Sequence, residues 1–242
     1  MTRRLLTLLV LSLATFALAA QAEAATWEAG THYTVLPQAQ RTHVAPGKVE
    51  VMEVFSYGCP ACDHFQPTMK RLKASLPPNA QVVYLPASWN AAENWPTFQR
   101  AFITAQSLGV ADKAHDAMFT AIWGANGVLA VEDSSTGRLK KDLPTIEDIA
   151  RFQQRLTGVK PADFVTASKS FSVDLKVRQA DAQILAMKVP STPTLVINGK
   201  YTVNNDSMKT ADDFIALVKF LVAKEGTAAV APAAAAAPAK KG

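Results

Sequence analysis

Two cysteines are the whole thiol complement of this 242-residue chain, and they stand three apart, at Cys59 and Cys62 in the stretch VMEVFSYGCPACDHF (Val51–Phe65). Thiols placed this way have three uses. As a structural disulfide they close a four-residue loop, worth only about 2 kcal/mol of chain entropy against about 4.7 kcal/mol for a 100-residue loop. Secreted proteins that depend on disulfides for stability also tend to carry several. As half of a tetrahedral zinc site they need further ligands. There is no second cysteine pair and no histidine pair at zinc spacing. His64 reads as a solvent-facing helix residue, and the isolated His32, His43 and His115 read as ordinary surface or loop histidines. As a dithiol–disulfide couple they need a setting that favours a thiolate, and the flanking residues supply one.

GKVEVMEVFSY (Gly47–Tyr57) is a mostly apolar run bounded by Pro46-Gly47 and Gly58, which predicts a buried strand. Directly after it, Phe65, Met69 and Leu72 recur at helical spacing. Pro60 suits a first helical turn, and Pro67 is expected to kink the helix without ending it. A strand feeding straight into a helix sets Cys59 at the helix N-terminus, where unpaired N–H groups and the helix dipole stabilise a thiolate. A lowered pKa makes Cys59 both the attacking sulfur and a good leaving group. Cys62, one turn later, is within reach to resolve a mixed disulfide. Thiol–disulfide exchange is the reading these spacings favour.

Two further positions bear on that chemistry. In VPSTPTLVING, Pro193 follows Thr192 just before a second apolar run. A cis Thr192–Pro193 bond would turn the Thr192 backbone outward as an edge for an extended substrate, whereas a trans proline there would be unremarkable. Glu53 lies in the middle of the first strand, six residues before Cys59. Facing inward it is a carboxyl with a raised pKa able to relay the Cys62 proton; facing outward it is a plain strand residue.

AQVVYLPAS (Ala80–Ser88) predicts a second strand, TPTLVINGKYTV (Thr192–Val203) a hairpin turning at Asn198-Gly199, and Thr210 onward a closing helix. Between them, from about Ala91 to Met187, the apolar period is helical. Trp95, Phe98, Phe102 and Ala105 share one face, Thr145 with Asp148 caps another helix, and a long helix spans about Ser172–Met187. The aromatic residues of this block (Trp95, Phe98, Phe102, Phe119, Trp123) read either as core or as a groove of a redox-inert peptide-binding module. The order defines an α/β layer with a helical insertion. We expect a signal peptide over 1–24, α/β segments over 25–90 and 181–225, the helical insertion over 91–180, and a disordered Ala/Pro-rich tail over 226–242.

The first 24 residues have the layout of a cleavable export signal: Arg3 and Arg4, an apolar run to Ala20, then small residues in A-x-A spacing. No cysteine follows at which a lipid would tether the chain, so the expected location is the periplasm. The formal charge of +5 falls to +4 without Arg3, Arg4 and Glu23, and to +2 with Lys240 and Lys241 also set aside. No basic stripe remains, which argues against a nucleic-acid partner.

With VMEVFSYGCPACDHF, STPTLVINGKY, the intervening helical block and the YTVL segment (Tyr33–Leu36) in view, the chain resembles the DsbA family of periplasmic thiol:disulfide oxidoreductases from about Trp27 to Glu225. The resemblance implies a thioredoxin-like fold with an inserted all-helical domain and a monomer that oxidises newly exported, unfolded or extended proteins. It implies no cofactor beyond the Cys59–Cys62 disulfide, and reoxidation by a DsbB-type membrane quinone reductase. It makes Cys59 the attacked sulfur, Cys62 its buried partner, Thr192–Pro193 the cis-proline loop and Glu53 the buried acid. The chain departs from the best-known members in carrying Cys-Pro-Ala-Cys, with Ala61 where they have histidine, and a weaker oxidant is the expected result. Tyr57 and Gly58, in place of bulkier aromatics, are expected to open the surface beside the site.

Overall fold

The sheet is built around the strand that leads to the cysteines. The computed structural model describes residues 26–230. The expected leader, and the expected tail beyond Val230, lie outside the described residues. In chain order the elements are β1 (Tyr33–Val35), β2 (Val49–Phe55), α1 (Pro60–Ser75), β3 (Ala80–Pro86), α2 (Trp95–Ser107), α3 (Ala111–Trp123), α4 (Ile146–Thr157), α5 (Pro161–Ser168), α6 (Phe171–Ala186), β4 (Thr194–Ile197), β5 (Tyr201–Val203) and α7 (Ala211–Val230). The five strands lie in the order β1-β5-β4-β2-β3. β2 pairs parallel with β3 and antiparallel with β4, and its seven residues are all buried. A strand covered on both faces has no reason to alternate apolar and polar residues, which is why VEVMEVF shows no clean period.

Two apolar layers cover the sheet. On one face Val49, Val51, Leu195 and Ile197 pack with Met69 and Leu72 of α1 and with Phe214, Leu217 and Leu221 of α7. On the other, Met52 and Val54 pack with Phe98, Phe102, Met118 and Phe119 of the helical block, and Phe55, at the end of β2, joins the same cluster. Each fully buried Leu or Phe contributes about 1.5–3 kcal/mol. The block's aromatic residues are core: Trp95, Phe98, Phe102 and Phe119 are buried. The fold is a thioredoxin fold with a helical insertion between β3 and β4.

Local signals are met in detail. Cys59 caps α1 with Pro60 at its start, and the helix runs through Pro67 to Ser75. Thr145 and Asp148 form a reciprocal capping box, and Gly158 ends α4 in the left-handed region at φ 78°. Thr210 and Asp213 cap α7 in the same manner, the Thr210 hydroxyl accepting from the Asp213 N–H at 3.1 Å. Asn198 and Gly199 both take positive φ, 50° and 63°, as the β4–β5 hairpin requires. The long helix expected near Ser172–Met187 runs from Phe171 to Ala186 behind a Ser170 cap, and a short further helix, α5, precedes it. Position 180, the expected end of the insertion, lies within α6. The closing helix continues to Val230, through residues 226–230 of the expected tail, since alanine is the best helix former.

Candidate functional site

β2 ends at Phe55, and Ser56–Gly58 form the turn into α1. Proline at the first helical position needs no hydrogen-bond acceptor, and the residue before it takes the extended backbone a cap requires. Cys59 therefore sits at φ −94°, ψ 114°, and its sulfur accepts from the Cys62 backbone N–H at 3.3 Å. The same sulfur lies 3.5 Å from the carbonyl oxygen of Thr192, to which the Cys59 thiol donates. Both cysteines are free thiols in this structure.

The two sulfurs have opposite electrostatic surroundings. The Cys59 thiol is drawn down to about 6, first by the hydrogen bond from the Cys62 thiol, against burial, and then by Thr192 and the backbone N–H groups of Cys62 and Ala61. Those two backbone donors are the helix-terminal groups expected from the sequence; the larger cause, the partner thiol, lies on the next turn. Cys62 is fully buried, and burial foremost pushes its thiol far above the ordinary range, with the hydrogen bond and charge of Cys59 adding to it.

Glu53 is fully buried, and alternation along β2 sets it on the face shared with Val51, under α1. Neither carboxyl oxygen has a hydrogen-bond partner among the described residues. Burial pushes the carboxyl up to about 8; Lys73 pulls it down and Cys59 pushes it up by less. Lys73, in the last turn of α1, stands over the ring of Tyr84 at 4.7 Å, and Tyr84 is the β3 partner of Glu53 in register. The Thr192–Pro193 peptide is cis. It precedes β4, the antiparallel neighbour of β2, so β2 and β4 bring Glu53, Cys59, Cys62, Thr192 and Pro193 to one end of the sheet.

Two sequence expectations fail here. Tyr57 and Gly58 do not open the surface, because both are buried under the helical block. A Cβ on Gly58 would stand 2.5 Å from Cδ1 of Trp95 and 2.8 Å from the Glu93 carbonyl oxygen. His115 is no surface or loop residue: it is buried in α3 among Phe55, Tyr84, Phe102 and Phe119, with its Nδ1 3.1 Å from the Tyr57 hydroxyl. The missed signal is its spacing, one turn before Met118 and Phe119 on the buried face of α3. His64 is exposed, as expected. Among the described residues no cluster of histidine, cysteine, aspartate or glutamate is arranged to hold a metal ion.

A C-x-x-C pair with one activated and one buried sulfur, at the start of the helix after the central strand of a thioredoxin fold, defines a dithiol oxidoreductase. Residues 50–216 match the model of the DSBA-like thioredoxin domain. The chain is 32% identical to the thiol:disulfide interchange protein DsbA of Pseudomonas aeruginosa over 95% of its own length and 99% of that protein. It is also 32% identical to DsbA of Pseudomonas syringae pv. tomato, over 89% and 92%. Among solved structures it is similar to P. aeruginosa DsbA (TM-score 0.68, 32% identity, 84% and 96% covered) and to the oxidoreductase DsbA of Xylella fastidiosa (TM-score 0.70, 28% identity, 83% and 98% covered). The chain belongs to the DsbA family of thiol:disulfide interchange proteins and is a protein-disulfide oxidoreductase.

Proposed function

We propose that this protein donates its Cys59–Cys62 disulfide to extended, newly exported proteins in the periplasm, working as a monomer. A substrate thiolate attacks the Cys59 sulfur; the Cys59–Cys62 bond breaks and a mixed disulfide forms between substrate and Cys59. Cys62 leaves and takes a proton from Glu53, the buried acid beneath it. A second substrate thiolate then attacks the substrate sulfur of the mixed disulfide and releases Cys59 as thiolate. The substrate loses two electrons and gains a disulfide, and the enzyme holds them as a dithiol. The extended substrate lies against the Thr192 backbone edge ahead of Pro193. A DsbB-type membrane quinone reductase accepts the electrons and restores the disulfide. The leader-like residues 1–24 and the redox requirement of a disulfide donor support the periplasmic location.

The observation that carries this reading is the Cys59 sulfur at the start of α1, accepting from the Cys62 backbone N–H at 3.3 Å, with Cys62 itself fully buried behind it. A low-pKa thiolate is stable when released, which makes the disulfide the donor. The test is the reduction potential of the pair, by equilibration with glutathione. A value well above roughly −200 mV supports the donor, and one near roughly −270 mV makes it a reductant.

A further inference from the structure

The turn that delivers Cys59 is gripped by the helical insertion, residue by residue. The Tyr57 hydroxyl lies 3.1 Å from Nδ1 of His115, and the Tyr57 carbonyl accepts from Nε1–H of Trp123 at 2.8 Å. Gly58 lies flat against Trp95, with no room for a Cβ. Within the turn itself, the Gly58 N–H donates to Ser56 Oγ at 3.2 Å and the Cys59 N–H to the Ser56 carbonyl at 3.2 Å. Thus α2 and α3 fix, by side chains alone, the two residues that immediately precede the nucleophile.

The histidine is the unexpected member of this grip. Its ring lies 4.0 Å from that of Tyr84 and 5.1 Å from that of Phe55, in a nest that an apolar side chain would fill without cost. A polar ring buried in such a nest is disfavoured unless its nitrogen finds a partner, and the one partner among the described residues is the Tyr57 hydroxyl. Burial holds the imidazole down at about 3, so it is neutral throughout the working pH range. Nδ1 and the Tyr57 hydroxyl share one hydrogen bond whose direction follows the tautomer, Nε2 is buried without a partner among the described residues, and burial pushes the tyrosine's own pKa up.

We propose that His115 is a positioning residue for the nucleophile: by holding the Tyr57 hydroxyl while Trp123 holds the Tyr57 carbonyl, it sets the entry of the chain into α1 and so keeps the Cys59 sulfur on the Cys62 amide. The inference rests on the reading of Cys59 as the attacking sulfur.

The test monitors the thiolate absorbance of the reduced full-length protein at 240 nm against pH, with thermal unfolding alongside, in His115→Phe, Tyr57→Phe and His115→Asn. The first two each remove one partner of the Tyr57–His115 hydrogen bond while keeping a ring; asparagine returns a polar group near the position of Nδ1. We expect the Cys59 pKa to rise by about one unit in both ring variants, a tenfold shift toward thiol at a given pH, with His115→Asn recovering most of it. Native-like thiolate titration in both ring variants, with only the unfolding temperature lowered, overturns the proposal and leaves His115 a packing residue. If His115→Phe does not fold, Tyr57→Phe, which loses a single hydroxyl, decides alone. A native protein with no thiol titrating below the ordinary range would instead refute the assignment of Cys59.

Discussion

Replacing Glu53 by glutamine removes an acid while nearly preserving shape, and the structure sets both the size and the sign of the effect on stability. Folding carries the carboxyl from 4.5 to about 8, chiefly by burial. The proton is therefore held more tightly folded than unfolded. That stability is fully present below pH 4.5 and is lost as pH rises toward 8, because the unfolded chain deprotonates first. A rise of about 3.5 pH units costs roughly 5 kcal/mol at 1.36 kcal/mol per unit. This is a large share of the 5–15 kcal/mol that holds an ordinary domain folded. Cys59 acts in the opposite sense: its depressed pKa adds stability to the reduced protein as pH rises from about 6 toward 9. Subtracting the urea-unfolding free energies of the reduced native protein from those of reduced Glu53→Gln, pH by pH, cancels that common contribution. We expect the variant's advantage to grow steadily between about pH 5 and 8, to several kcal/mol, and to level off above. A difference that stays flat across that window would refute the placement of Glu53 as a buried acid.

Ala61→His, which sets an imidazolium on the first turn of α1, should lower the Cys59 pKa by about one unit and raise the reduction potential by about 30 mV; a variant no more oxidising than the native protein in glutathione equilibration refutes this. Gly58→Ala forces a Cβ into Trp95 and the Glu93 carbonyl and should cost about 1–3 kcal/mol by overpacking, read from urea midpoints. Brief iodoacetamide treatment of the reduced folded protein near pH 7 should add one adduct, on Cys59 and not on Cys62; equal labelling by mass spectrometry contradicts the assigned asymmetry. Glu225 accepts hydrogen bonds from Asn198 at 2.6 Å, Lys200 at 2.6 Å and Tyr201 at 3.0 Å, so Glu225→Ala should cost about 1–2 kcal/mol in thermal or urea unfolding, Lys200 being half-exposed and able to rehydrate.

What could be read in advance was local. The C-x-x-C spacing, Pro60 after the cap, the Thr145–Asp148 box and Asn198-Gly199 each specify geometry within a few residues, and each is found. The facing of Glu53 was open because β2 is buried on both sides, so no alternation marks an inward carboxylate. His115 was misread because helical periodicity is weighed on apolar residues, and a buried polar residue is visible only once its partner is known. That partner, Tyr57, is 58 positions away. Gly58 was misread for the same reason: the side chain that forbids a Cβ belongs to Trp95, on a different element. Residues 226–230 were assigned to disorder on composition, though a run of good helix formers behind a packed helix extends it readily.

The separation of Cys59 from Thr192, 133 positions, also bears on the order of events as the chain is made. A polypeptide emerging from its N-terminus presents the cysteine pair and α1 well before β4 exists. During that interval the backbone donors of the helix start can form, but Thr192 and the β2–β4 pairing cannot. Contacts so distant in sequence are the last whose loop-closure entropy is met. The nascent chain thus carries a dithiol activated by its local donors alone, and Thr192 adds its contribution only when β4 docks beside β2. Full activation of Cys59 is in this sense a read-out of completed folding.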